Sequence, residues 1–269
     1  MLEHLAHAKG HIDRFCDMSP TGRVLMNAGV YRIRLRANWK MWMENSVDAY
    51  HVLQTHASNF YLENLLNPGK KPQGGKPPFL LIRERDLGNG HSDLDMRPQR
   101  RLTGMTYTAE WSDDLPEDAQ KDYIDAMVRF HGKEKAEMLL RDGPPHCVVF
   151  PNLFFMFQEI RWCVPAGVGE TYLYYAPCLL EGAPEAINTA RLRRDEGAYG
   201  PAGFQLADDI EVWERNFAGL KAKLDEWLLM NRGVNKPVEI DEEGIPGQDQ
   251  MSEITMRAQW QHYQAIMEA

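Results

Sequence analysis

The sequence predicts an α+β fold, and two observations carry that prediction. Strand-like runs fall at residues 79–108, and apolar runs with Pro and Gly between them follow at 147–180. Segments with apolar residues at helical spacing lie around both clusters. The pattern sets the class without setting the topology. At 269 residues the chain is long enough to bury a full core, as one domain or a domain with appendages.

Taken in order, residues 3–16 read as a short helix ended before Pro20-Thr21-Gly22. His4, His7 and His11 share helical spacing there, with no carboxylate to match, and read as a solvated face. From Tyr31 to Arg36 the residues alternate strictly, Tyr31, Ile33 and Leu35 against three arginines, which is the pattern of a strand with one wet face. A helix follows through residues 38–56. Residues 67–78 are too rich in Pro and Gly for regular structure and read as a surface loop or a flap over a pocket entrance. Phe79–Ile82 and Met105–Thr108 read as strands. Pro116 opens a helix running to about Leu140, with Tyr123, Met127 and Phe130 on its stripe. Four consecutive antiparallel strands are expected at 147–150, 153–157, 160–164 and 171–180. His146, just before them, reads as a hydrogen-bonded core histidine. A second long helix starts within 199–213 and is expected to reach about Asn231. Met251–Met267 reads as an amphipathic helix with Ile254, Trp260 and Met267 on its apolar side.

Composition narrows the function classes. A net charge of −9 offers no basic face for nucleic acid. No uncharged apolar run approaches the ~18 residues of a membrane span, and the first residues carry no signal-peptide core, so a cytoplasmic location is expected. The four cysteines, at 16, 147, 163 and 178, form no Cys-x2-Cys or Cys-x-His pair and read as reduced, mostly buried thiols.

The chemistry is concentrated in residues 38–56, where Asp48, His51 and His56 fall beside two Trp and two Met. Imidazole and carboxylate are common ligands for divalent first-row metals, and two His with one carboxylate leave open positions on Fe(II). Asp48 and His51, three apart, share a helix face. His51 and His56 are five apart, about 140° round a regular helix. A straight helix would therefore aim the two rings apart. Either a π-type bulge lies here, or the helix ends before His56 and the chain turns back. Asp208 and Asp209, alone, would read as an N-cap or first-turn acid of the helix they precede.

Asn38-Trp39-Lys40, then Glu44-Asn45, then Asp48-x2-His51-x4-His56 resembles the iron-binding segment of the Rieske-type aromatic-ring-hydroxylating oxygenases, large (alpha) subunit. Phe150-Pro151-Asn152-Leu153 and Gly200-Pro201-Ala202-Gly203-Phe204, followed by Asp208-Asp209, are similar to further segments of that family. The resemblance implies a helix-grip architecture, a curved antiparallel sheet wrapped over long helices with a pocket between them. It implies a catalytic domain over residues 1–269 that holds Fe(II) through His51, His56 and Asp209, with Asp208 as the alternative carboxylate. Asp48 matches the acid that links a ligand histidine to a Rieske-ligand histidine of the neighbouring subunit. Val52, Tyr199 and Gln205 fall where relatives line the substrate pocket, and Gln205, an amide where some relatives place an aromatic, suggests an aromatic acid as substrate.

The implied reaction is hydroxylation of an aromatic ring with O2, cis-dihydroxylation or, as in the monooxygenase relatives, a single hydroxylation. Its NAD(P)H electrons come through a ferredoxin or reductase and a [2Fe-2S] Rieske cluster. That cluster needs paired Cys/His motifs, which this sequence lacks, so it is expected from elsewhere. Family assembly implies a trimer of large subunits, with a small beta subunit in some members. The alternative is a helix-grip ligand-binding domain that works without catalysis.

Overall fold

The computed structural model describes residues 1–66, 81–104, 115–157, 159–224 and 227–269. The expected loop at 67–78, the first half of the expected strand at 79–82 and the strand at 105–108 lie outside them.

The expected N-terminal helix is two helices, α1 (Leu2–Leu5) and α2 (Ala8–Asp17), and the two-residue strand β1 (Val24–Leu25) follows. β2 (Tyr31–Leu35) keeps the alternation seen in the sequence, with Arg32 and Arg34 exposed and Leu35 fully buried. The helix expected across 38–56 is broken into α3 (Trp39–Asn45), the single turn α4 (Val52–Thr55) and α5 (Ala57–Leu66). Asn38 Oδ1 accepts from the Lys40 N–H at 3.2 Å and so caps α3.

β3 (Arg83–Gly88) and β4 (His91–Asp95) form a hairpin that the sequence did not announce, because its residues are mostly charged. Its turn runs through Asn89 and Gly90, both at positive φ (52° and 73°), the backbone that a tight hairpin with right-handed twist requires. α6 (Arg97–Thr103) follows. The long helix expected from 116 to 140 is α7 (Glu117–His131) and α8 (Lys133–Asp142), separated at Gly132, whose φ of 81° no helix can hold. Then come β5 (His146–Val149), β6 (Leu153–Met156), β7 (Glu159–Gly167), β8 (Glu170–Pro177) and the short β9 (Leu179–Leu180), close to the four expected strands. α9 (Glu185–Tyr199) precedes α10 (Phe204–Leu220), which ends well short of Asn231. β10 (Glu239–Ile240), β11 (Pro246–Asp249) and α11 (Ile254–Glu268) complete the chain.

Among the described residues the strands form one nine-stranded sheet in the order β10-β11-β3-β4-β5-β6-β7-β8-β2, every pair antiparallel, with β1 and β9 paired separately. Strand alternation gives the sheet two buried faces. On one, Val148, Phe154, Met156, Cys163, Leu173 and Tyr175 pack against Trp42 and Met43 of α3, Leu206 and Trp213 of α10, and Met256 of α11. On the other, Leu87, Cys147, Val149, Phe155 and Cys178 meet Ala8 and Phe15 of α2. A third cluster joins α7, α8 and α9 through Tyr123, Met127, Leu139 and Ile187. Full burial of an apolar side chain such as Met43 contributes roughly 1.5–3 kcal/mol, so these contacts hold the helices to their faces.

His11 departs from the solvated reading. It is buried, its Nε2 2.8 Å from Asp93 Oδ2 and 2.9 Å from an Arg85 nitrogen. Its partners come from strands 74 and 82 residues away, beyond what helical spacing reveals. All four cysteines are free, with Cys147, Cys163 and Cys178 buried. No described helix is long and apolar enough to cross a membrane.

Candidate metal centre

The site is built where α3 stops. Ser46 Oγ donates back to the Trp42 carbonyl at 2.7 Å, closing the last turn, and the chain leaves the helix through Asp48. Asp48 Oδ1 then accepts from the backbone N–H groups of Tyr50 (2.8 Å) and His51 (3.1 Å). This local bonding competes with helix continuation and starts a new turn. The other oxygen, Oδ2, lies 3.4 Å from His51 Nδ1, long for a hydrogen bond. The carboxylate thus holds the backbone at His51 and lies beside its ring.

His51 opens α4, which ends one turn later at His56. Of the two ways to bring the rings together, the structure uses the interruption: the helix ends and restarts, and no π-bulge is present among the described residues. The two ring centroids lie 5.6 Å apart.

The third group arrives on α10. Gly200 and Gly203 turn the chain from α9 into α10 so closely that a Cβ on Gly200 would sit 2.4 Å from the Glu196 carbonyl oxygen, and one on Gly203 2.6 Å from Ala198 backbone. Only glycine fits both places. Gly203 is the N-cap, which puts Asp208 and Asp209 in the second turn of α10, so neither caps it.

Asp209 Oδ1 lies 3.3 Å from His56 Nε2 and 3.8 Å from His51 Nε2. His51, His56 and Asp209 each offer one donor atom, all within 4.8 Å of one another, and Asp209 and His56 are buried. Asp208 points elsewhere: its Oδ2 is 3.8 Å from His56 Nδ1. Each imidazole therefore has a carboxylate behind it, Asp48 for His51 and Asp208 for His56. Asp209 Oδ1 and both Nδ1 atoms are enclosed without a hydrogen-bond partner. Unpaired buried polar atoms are costly and call for an explanation. A cation held by the two imidazoles and Asp209 would supply one for Asp209 Oδ1, with a carboxylate left on the far side of each ring, the usual way a ligand imidazole is oriented. Burial disfavours the His51 imidazolium, but Asp48 and then Asp209 outweigh it and raise its pKa above the ordinary value. The donor set fits a divalent first-row metal.

The family model described as ring hydroxylating alpha subunit (catalytic domain) matches residues 25–269. The chain belongs to that family. The 2-halobenzoate 1,2-dioxygenase large subunit of Burkholderia cepacia is 25% identical over 245 residues, covering 86% of this chain and 48% of that protein. The anthranilate 1,2-dioxygenase large subunit of Acinetobacter baylyi is 23% identical over 240 residues, covering 87% and 50%. The chain thus spans about half the length of the curated relatives it matches. A solved naphthalene 1,2-dioxygenase with indole in its active site superposes with a TM-score of 0.74 at 22% identity, over 98% of this chain and 59% of that one, and so shares the fold.

Within this domain, Gln205 stands one turn before Asp209 on the same side of α10, half-buried, and Val52 directly follows His51. Tyr199 ends α9 with the Arg161 guanidinium 4.1 Å over its ring. His146 is buried as expected, edge-on to Phe154, but its Nδ1 has no hydrogen-bond partner, and burial followed by Arg161 lowers its pKa to about 3. It is a neutral ring.

Two features escaped sequence reading. One is the buried group of Glu159, Arg161, Asp195 and Tyr31, in which Glu159 and Arg161 are ion-paired and the Tyr31 hydroxyl donates to Asp195 at 3.2 Å. The alternation Glu159-Ile160-Arg161 in an apolar strand was its only trace. The other is Glu84, fully enclosed on β3, accepting from the Ser252 hydroxyl at 3.0 Å. Burial, opposed by that hydrogen bond and reinforced by Asp48, pushes its carboxyl up to about 9.

Proposed function

We propose that the chain is the oxygen-activating half of an aromatic-ring-hydroxylating dioxygenase, with His51, His56 and Asp209 as ligands of one Fe(II). The observation that carries this is the convergence of His51, His56 and Asp209, one donor atom from each and all within 4.8 Å of one another, with Asp209 Oδ1 enclosed and without a hydrogen-bond partner. Bound there, Fe(II) would supply activation of O2 beside an aromatic ring. The protein's own part is to hold and orient. Asp48 fixes the tautomer of His51, so that Nε2 is free to bind metal, and Asp208 sits on the matching side of His56.

Three relatives are named for 2-halobenzoate, anthranilate and toluate, all aromatic carboxylates, which supports an aromatic acid as substrate. Val52, Tyr199 and Gln205 would border it, the Gln205 amide hydrogen-bonding a carboxylate or hydroxyl on the ring. Electrons would come from a Rieske cluster by way of Asp48, with a ferredoxin or reductase upstream, in a trimer of large subunits that some relatives complete with a small subunit. The helix-grip description belongs to the same proposal and is supported by α10 and α11 packing on one face of the antiparallel sheet.

Anaerobic purification followed by iron analysis tests the reading. About one Fe(II) per chain is expected, and His56→Ala should abolish it. Absence of iron at saturating Fe(II), with an aromatic acid still bound, would favour the non-catalytic ligand-binding domain instead.

A further inference from the structure

Across the sheet from the metal centre, between α2, α8 and the turn before β11, lies a cavity of about 550 Å³. That is the size of a small-molecule site. Charges line it, and nearly all are matched among the described residues. Asp13 meets Lys9 (2.5 Å), Asp17 meets Lys135 (2.7 Å), Asp142 meets Arg101 and Arg141 (2.9 and 2.8 Å), and Glu243 meets Arg97 and Arg85 (2.8 and 2.7 Å). His11 is taken by Asp93.

Arg14 is the exception. It lines the cavity, half-buried, with no hydrogen bond or ion pair among the described residues, and its Nε is fully enclosed without an acceptor. Burial and then Arg97 depress its pKa, with Asp93 and Asp95 opposing. An arginine left so is costly unless an anion meets it. One turn before it on α2, Gly10 also lines the cavity, and a Cβ there would meet nothing within 4 Å. The space beside Arg14 is therefore open.

We infer that this cavity binds a small organic carboxylate, its charged end forked on Arg14 and its apolar body against Ala6, Leu139 and Ile245. The planar guanidinium matches a carboxylate in two parallel hydrogen bonds. Four carboxylates already line the walls and would repel a dianion such as phosphate, whereas one negative charge balances the one cation unmatched among the described residues. Apolar wall residues suit an apolar remainder. The site is separate from the metal centre, because Phe15 and Ala8 of α2 pack on the sheet face carrying Cys147 and Val149, while α3 and α10 pack on the face carrying Val148 and Phe154.

Titration calorimetry with benzoate on the whole chain tests this, with benzamide as the uncharged twin. Arg14→Gln and Gly10→Phe are compared with the parent, so that binding at the metal centre, unaffected by either change, cancels. The expected result is a benzoate event in the parent that weakens at least roughly tenfold in both variants and has no benzamide counterpart. If Arg14→Gln does not fold, Gly10→Phe decides alone, since it leaves the guanidinium in place and fills the space beside it. Identical benzoate isotherms in parent and variants, or a Gly10-sensitive event that benzamide reproduces, overturn the inference.

Discussion

Glu84→Gln should make the protein more stable at neutral pH and remove much of its sensitivity to base. Glu84 is wholly enclosed and its carboxyl titrates at about 9, against an ordinary 4.5. The raised value means that its contribution is fully present below pH 4.5 and is lost progressively as pH rises through 9. Between 4.5 and pH 7 the folded state keeps a proton that the unfolded state gives up, which at about 1.4 kcal/mol per pH unit costs about 3 kcal/mol. Glutamine keeps the size and an acceptor for the Ser252 and Thr255 hydroxyls and has no such cost. Allowing about 1 kcal/mol for an imperfectly paired amide leaves a gain of about 2 kcal/mol at pH 7. Urea denaturation of parent and variant at pH 5, 6, 7 and 8 measures it. The gap between them should widen by up to about 1.4 kcal/mol per unit. A gap independent of pH, or a variant weaker than the parent at pH 8, would refute the buried neutral acid.

The two neighbouring aspartates should separate cleanly in an iron titration. Asp209→Ala should lose stoichiometric iron, whereas Asp208→Asn should keep it with affinity weakened roughly 10–100-fold, as expected for a group behind a ligand imidazole; the reverse order would give the ligand role to Asp208. Asp48→Asn should keep its iron yet fail in single-turnover oxidation with a Rieske-bearing partner, and a variant turning over at the parent rate would remove the bridging role. Gly10→Ala should raise stability by roughly 0.5–1 kcal/mol in a denaturant melt, since it lies inside α2 with open space at its Cβ.

The strands at 146–180 were legible because they are apolar, short and punctuated by Pro and Gly, so period and boundary agreed. The β3–β4 hairpin was not, because Arg85 and Asp93 are buried as partners of each other, and a charged strand looks solvated until its partner is known. The same physics hid His11. At the candidate metal centre, the five-residue spacing of His51 and His56 announced a broken helix, and the break is there, but only the structure shows that Asp48 makes it by hydrogen-bonding two backbone N–H groups. Which of Asp208 and Asp209 faces both imidazoles turns on a helix starting at Phe204, a boundary that spacing alone could not place.

The interruption of α3 has a consequence for how the domain comes apart. A four-residue helix such as α4 holds almost no helical stability of its own, and its N-cap residue, His51, makes no capping hydrogen bond. Yet this turn and α10, roughly 150 residues further along the chain, would be stitched through a single ion. Whatever binds only the folded arrangement stabilises it by mass action, and here the gain falls on the stretch least able to support itself. Removing the metal should therefore loosen residues 46–58 in amide hydrogen exchange while the paired strands β5 to β8 keep their protection. A bound ion would act as a rivet, and unriveting would begin at the two histidines.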